Sequence, residues 1–564
     1  MDVARSIVDS DIAHLKERIR ALKSRRNELS PISRLPVEIL CKIFFFTEDK
    51  FLFLKPRNPE TWTNFSQVSQ HWRLSALNAP ELWTTIPLRY PRWAQEMLIR
   101  SKMAKLTIQT NYIFKISYPK IIEALKSCLC AMDRVEELRL CEIPRLKLEE
   151  IFRDLPKSAP QLHTLRIEVK GRSFHFVGPA SPIYEDFLYD TERLRCVVLT
   201  NCKISWESQL LTGLTRLTLQ NSSTANSSII QFLHALQRMP ALTYLYLERS
   251  IPDDSEHSST YPIVDLPCLQ KLHISSRVGP LTTVLRHITI PHSAKFSLVC
   301  RGKRSTQIDF SNFLSVFASK FLSSWIILGL TLRLFDDTDD TQTDGLEFYL
   351  WTTVFKSFPP SPSCIRFRSR PHLVLTWPSS LRENRNHAKV LTYVFKAIRF
   401  PYLFQLQIAT ENYIDSRTWL RTFGTLLLLR WMCVRSNKPH SFLKALVYKK
   451  EAGDKWETIS FPNLRYIHLE CTDFFGAARD SISVDMLLDC LRERCERYAE
   501  IRCLGLRDCY YISSDDVKRL KEVVVDVIWD GKEQELSDED DEDESDGDTI
   551  EDSEEESDED SDDD

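Results

Sequence analysis

The segment LTRLTLQN, Leu214–Asn221, carries the spacing on which the reading of this chain turns. Its apolar residues follow the form L-x-x-L-x-L, at Leu214, Leu217 and Leu219, and Asn221 closes the run. Side chains alternate along an extended chain, so Leu217 and Leu219 share one face while Arg216 and Thr218 take the other. One such unit means little in a leucine-rich chain. The same form recurs from Val135, Leu162 and Leu194 before it, and from Leu242 and Leu269 after it. It returns at Leu403, Leu464 and Ile501, again with Asn201 closing the run that starts at Leu194. Nine units predict an array of strands.

Successive starts of the first six lie 27, 32, 20, 28 and 27 residues apart, mostly within the leucine-rich-repeat period of about 20 to 29. Several intervening segments have helical spacing, among them Ser228 to Arg238 (Ile229, Phe232, Leu233, Leu236) and Ser483 to Arg494 (Val484, Leu487, Leu488, Leu491). Alternation of strand and helix implies a right-handed solenoid with a parallel sheet on its concave side. The signal is weaker between Arg277 and Tyr402, where Phe296–Leu298, Leu328–Leu334 and Leu373–Leu375 read as strands of degenerate repeats and Phe335–Asp344 as a polar insertion. The expected fold class is therefore mixed α/β.

On the outward positions of these strands stand Arg139, Arg166, Arg216, Tyr244, Tyr246, Lys271, His273, Tyr466 and His468, with Thr218, Gln405 and Gln407. Basic and aromatic residues dominate the set, which suits an acidic or phosphorylated protein target. Taken singly, most of these positions read as solvated surface.

A second stretch, Ser33 to Ile86, has a different grammar. Leu35 and Pro36 precede a helical stripe of Ile39, Leu40, Ile43 and Phe44, and a second helical pattern holds Val68 and Trp72 before Leu82 and Trp83. Pro36 is suited to a first helical turn, where its missing N–H costs nothing. About fifty residues with three short helices cannot bury this much apolar surface alone. The pattern Leu35-Pro36-x-Glu38-Ile39-Leu40-x-x-Ile43-Phe44, then Val68-x-x-x-Trp72-Arg73 and Leu82-Trp83, resembles the F-box. It departs from that family in the long link between Phe44 and Phe65 and in Ser69, where many members carry Cys. The resemblance implies that Leu35, Pro36, Glu38, Ile39, Leu40, Ile43, Phe44, Val68 and Trp72 meet a Skp-type adaptor and, through it, a cullin. The whole chain resembles F-box proteins with C-terminal leucine-rich repeats of the fungal, basidiomycete type. The expected organisation is an amphipathic or coiled-coil-like helix at 6–30, an F-box-like domain at 31–86, a connecting segment at 87–131, a leucine-rich-repeat-like solenoid at 132–530 and a disordered acidic tail at 533–564.

Ile12, Leu15, Ile19, Leu22 and Leu29 keep a 3-4 spacing through a charged segment, interrupted where Arg26 takes a core position. Such a helix can zip with another chain or fold back on its own protein. At the other end, residues 533–564 hold 22 of the 79 acidic residues and no Lys or Arg. The remaining chain has 74 cationic against 57 acidic residues, a net +17 that the overall −5 conceals. The tail lacks the apolar side chains that offset ordering entropy. Ser537, Ser545, Ser553, Ser557 and Ser561 each have an acidic residue three positions on, which makes them candidates for an acidophilic kinase.

Fifteen scattered cysteines and an N-terminus without the apolar core of a secretory signal point to a reducing compartment, cytoplasmic or nuclear. Apolar runs are far shorter than the roughly 20 residues that span a bilayer, so no membrane is expected. No G-x-x-x-x-G-K-[ST] or C-x-x-C occurs, and the cationic residues are spread too evenly for a nucleic-acid patch. Neither metal, cofactor nor catalytic constellation is expected. The sequence thus reads as the substrate-recognition subunit of a Skp–cullin–F-box type ubiquitin ligase. The alternative is an interaction scaffold whose acidic tail recruits basic partners such as histones.

Overall fold

The computed structural model describes residues 2–535 apart from 53–62, 89, 111–117, 145–147, 149–150, 152–157, 170–180, 183–187, 223–226, 253–260, 302–306, 323–325, 337–342, 353–371, 379–385, 411–412, 451–457 and 477–481. The acidic tail from residue 536, with Ser537, Ser545, Ser553, Ser557 and Ser561, lies outside the described residues. The fold is mixed α/β, a helical N-terminal region followed by a large sheet-rich region.

Helix α1 (Asp2–Glu28) leads through a 3-10 turn (Pro31–Arg34) to α2 (Val37–Leu52), which starts directly after Pro36. Helix α3 (Gln70–Leu77) is N-capped by Ser69, whose hydroxyl accepts from the Trp72 N–H at 3.2 Å. The cap satisfies one of the orphan donors of the first turn, and this is the use of the serine that departs from the family pattern. Leu40 and Phe44, one turn apart on α2, are fully buried. Phe44 stacks on Phe65 with ring centroids 4.3 Å apart and leans on Trp72 at 5.3 Å. Trp83 is also fully buried, its indole N–H donating to Ala76 O at 2.8 Å. Arg100, on α4 (Pro91–Arg100), lies over the Trp83 ring at 4.5 Å. Each large apolar side chain buried in this way contributes about 2 kcal/mol.

The chain divides into two units, one up to Phe400 and one from Pro401. In the first, β1 (Thr85–Pro87), β2 (Leu106–Thr110), β3 (Val135–Ile143), β4 (Thr164–Val169), β5 (Cys196–Thr200), β6 (Arg216–Gln220), β7 (Tyr244–Glu248), β8 (Lys271–Arg277) and β9 (Lys295–Arg301) pair in sequence order, each parallel to the next. The register aligns Leu138, Leu165, Val197, Leu217, Leu245, Leu272 and Phe296 in one buried row. Leu140, Ile167, Leu199, Leu219, Leu247, Ile274 and Leu298 form a second. The ladder begins before the first L-x-x-L-x-L unit: β2 lies inside the stretch expected to be a connecting segment.

A repeated turn ends these strands. Asn201, Asn221 and Arg249 each follow a strand directly and take positive φ (57°, 51° and 48°), a conformation in which Asn is several-fold enriched. Asn221 Nδ2 donates to Asn201 Oδ1 at 3.0 Å, and Asn201 Nδ2 to Val169 O at 3.0 Å. The next residue is small and buried: Cys202, Ser222 or Ser250. Each donates back to its own strand, Ser222 Oγ to Gln220 O at 2.9 Å, Ser250 Oγ to Glu248 O at 2.8 Å and Cys202 Sγ to Thr200 O at 3.3 Å.

The expectation of an all-parallel sheet needs correction beyond β9. Strands β10 (Gly329–Asp336) and β11 (Thr343–Trp351) form an antiparallel pair, and β12 (His372–Pro378) runs antiparallel to β11 but parallel to β9. The run read as a polar insertion, Phe335–Asp344, joins β10 to β11, and its residues 337–342 lie outside the described residues.

In the second unit β13 (Gln405–Ala409), β14 (Trp431–Arg435), β15 (Tyr466–Glu470), β16 (Cys503–Arg507) and β17 (Asp526–Trp529) are again parallel in order. Helix α5 (Val484–Glu496), capped by Ser483 Oγ accepting from Met486 N, turns Arg494 inward. Its fully buried guanidinium donates to Leu446 O, Ser460 O and Phe461 O at 2.8, 2.9 and 2.9 Å. Burial lowers its pKa to about 10.

Candidate docking surfaces

Two surfaces present side chains that the fold itself does not consume. The first is on α2. At 3.6 residues per turn, Pro36, Ile39, Ile43 and Phe46 fall on one stripe, roughly a quarter-turn away from the Leu40–Phe44 face. Leu40 and Phe44, both expected to meet the adaptor, are buried in the module core; a helix has one face for its own core, and these two occupy it. Pro36 and Glu38 are exposed, Leu35, Ile43 and Trp72 half-buried. Ile39 is 42% exposed, Phe46 72% and Val68 56%. Phe46 is absent from the sequence-derived set, although its i+7 spacing from Ile39 could have flagged it.

The second surface is the outward face of β3 to β9. The expectation that Arg139 and Arg166 make it basic is modified by their own strands. Arg139 Nη2 donates to Glu137 at 2.5 Å and Arg166 Nε to Glu168 at 2.7 Å. Farther along, Tyr246 and His273 stack at 4.2 Å, Tyr246 Oη donates to Glu248 at 3.1 Å, and Arg301 lies 3.5 Å from the same carboxylate. Arg216, Tyr244, Lys271 and Lys295 stand in one register row across four strands. Arg216 lies over the Tyr244 ring at 4.7 Å. Among the described residues none of these three cations makes an ion pair with a carboxylate. Lys295 escaped the sequence reading because only Phe296–Leu298 of its strand is strongly patterned.

In the second unit the corresponding strand positions are packed differently. His468, expected to face a target, is only 5% exposed, and Gln405 and Gln407 are also buried. Gly505, paired with His468 across β15 and β16, leaves the space that the imidazole fills. His468 Nε2 lies 3.4 Å from Glu470, and Arg507 3.5 Å from the same carboxylate. Tyr466 is half-buried and stacks on Trp431 at 3.8 Å.

Chemically, the first surface suits an apolar partner and the second an extended anionic one. Buried thiols serve the core: burial pushes Cys202, Cys490 and Cys509 up to about 12, and it holds Cys300 and Cys433 well above the ordinary thiol range. Among the described residues no group of three or more His, Cys, Asp or Glu could hold a metal ion, and no helix is long and apolar enough to cross a membrane.

A family model described as F-box-like matches residues 32–89. No curated protein matches the chain. The match supports an F-box protein and suggests an adaptor role in a ubiquitin ligase of the Skp–cullin–F-box type, with a Skp-type adaptor as the partner that such a domain implies.

Proposed function

We propose that this chain is the substrate-recognition subunit of a Skp–cullin–F-box type ubiquitin ligase. Its F-box-like module docks on the Skp-type adaptor, and the parallel ladder behind it, read as a leucine-rich-repeat solenoid, binds the target protein. The observation that carries this reading is the stripe of exposed Pro36, Ile39 and Phe46 around half-buried Ile43, on a matched module whose own core is already closed by Leu40, Phe44, Phe65 and Trp83. A stripe of that kind is left for a partner. The row Arg216–Tyr244–Lys271–Lys295 supports a target with an extended acidic or phosphorylated segment, since cations in register can each meet one anion of a chain laid across the strands. The subunit itself is non-catalytic, and its contribution to transfer is proximity, which makes an encounter effectively local. Co-purification from cells tests the reading. The wild type should bring down the adaptor and a cullin, and Leu35→Ala/Pro36→Ala/Ile39→Ala should not; equal recovery by both would refute it.

A further inference from the structure

The long helix α1 carries an apolar stripe that the rest of the chain leaves uncovered. Val8, Ile12, Leu15, Ile19 and Leu22 are 55, 42, 57, 51 and 62% exposed, and Leu29, the residue after the helix's last turn, is 70% exposed. Fold-back on the module, one of the two readings open at the level of sequence, is not how these side chains are placed. Their spacing is strictly heptad: Ile12, Ile19 and Arg26 take the a positions, and Val8, Leu15, Leu22 and Leu29 the d positions. A heptad seam of this kind is the contact surface of a coiled coil.

Charge decides which strand and which direction. Asp9 and Asp11 flank the stripe in the first half of α1, and Lys23 and Arg25 flank it in the second. Among the described residues none of these four makes an ion pair. In a parallel pair, the attraction of Asp11 at g for Lys16 at e of the other copy would be offset by Arg18 beside Lys23, and Arg26 would face Arg26 in the core, leaving no net gain. In an antiparallel pair, Ile12 meets Leu22, Leu15 meets Ile19 and Val8 meets Arg26, whose long stem covers the apolar contact while its charge reaches solvent. The same alignment sets Asp9 opposite Lys23 and Asp11 opposite Arg25, twice each; the like-charge contacts are confined to Lys16 and Arg18 at the centre. We infer that α1 is a self-docking surface, pairing antiparallel with α1 of a second copy of this chain. The dimer holds two F-box-like modules and two target faces in one particle, so a target with two anionic segments gains avidity.

Sedimentation equilibrium of the full chain tests this. The wild type should pass from monomer to dimer as concentration rises to roughly 50 µM, as expected of a short coiled coil with micromolar affinity. Leu15→Asp/Leu22→Asp should remain monomeric with an unchanged melting curve. Lys23→Glu should weaken the dimer roughly fivefold, since two attractive pairs become repulsive, and Asp9→Lys added to it should restore the affinity. A chain monomeric throughout, a dimer indifferent to the leucine substitutions, or a dimer strengthened by Lys23→Glu as parallel pairing requires would each overturn the inference.

Discussion

The imidazole of His468 lies against the backbone of Gly505: a Cβ built on Gly505 would come within 1.8 Å of Nδ1 and 2.7 Å of Cε1. The two residues are cross-strand neighbours, and the missing side chain of one is the berth of the other. Gly505→Ala should therefore destabilise the protein by about 1–3 kcal/mol through overpacking, read from denaturant unfolding. Combined with His468→Ala it should cost less than the sum of the two changes. Strict additivity would show that the ring does not occupy this space.

The buried thiols give the stability an alkaline limit. Cys202, Cys490 and Cys509 have folded-state pKa values raised by burial to about 12 from 9.0. Raised values stabilise fully below the unfolded pKa, and that contribution is lost as pH climbs from 9 towards 12, because only the unfolded chain releases the proton. Under reducing conditions each should withdraw roughly 1 kcal/mol by pH 10. A melting temperature flat between pH 8 and 10 would contradict the placement of these cysteines.

Arg494 acts as a clamp on three carbonyls, Leu446, Ser460 and Phe461. Arg494→Met keeps much of the volume and leaves those acceptors unpaired, at a cost of about 3 kcal/mol. Arg494→Lys should recover only part, lacking the planar fork. Thermal unfolding of both variants reads the difference; equal melting temperatures for wild type and Arg494→Met would remove the clamp.

What the sequence made legible follows from how local each signal is. Leu217 and Leu219 announce a half-buried strand because the pattern needs only neighbours two residues apart. Strand β14 carries the same form as Leu429-x-x-Met432-x-Val434, but Met and Val in place of Leu hid it. Apolar runs such as Leu330–Leu334 report burial and not the direction of pairing, so the antiparallel strands β10 and β11 were not legible. Alternation sets His468 on the opposite face from Ile467, but it could not report the glycine in the next strand that lets the ring lie down and be buried. In the module, Leu40 and Ile39 are adjacent letters in one apolar stripe, and only the packed core of Phe65 and Trp83 separates the inward residue from the outward one.

The register row of Arg216, Lys271 and Lys295 should bind an acidic chain. A poly-glutamate peptide is the probe, and Lys271→Glu/Lys295→Glu should weaken it roughly tenfold at low salt. If the acidic C-terminal segment competes for the same row, truncation after Glu535 tightens the peptide and steepens its salt dependence. Fluorescence anisotropy over a salt series measures both; unchanged affinity in the double variant would move the anion site elsewhere.

If the chain docks as proposed, the outward stripe of α2, and not its buried neighbours, engages the adaptor. Calorimetric titration of purified Skp-type adaptor into the full chain and into Ile39→Asp/Phe46→Asp measures it most directly. The variant should lose at least about a hundredfold in affinity, on the scale of two anchor side chains at roughly 2 kcal/mol each, with the melting temperature unchanged because both residues are solvent-facing. Undiminished binding by the variant would contradict it.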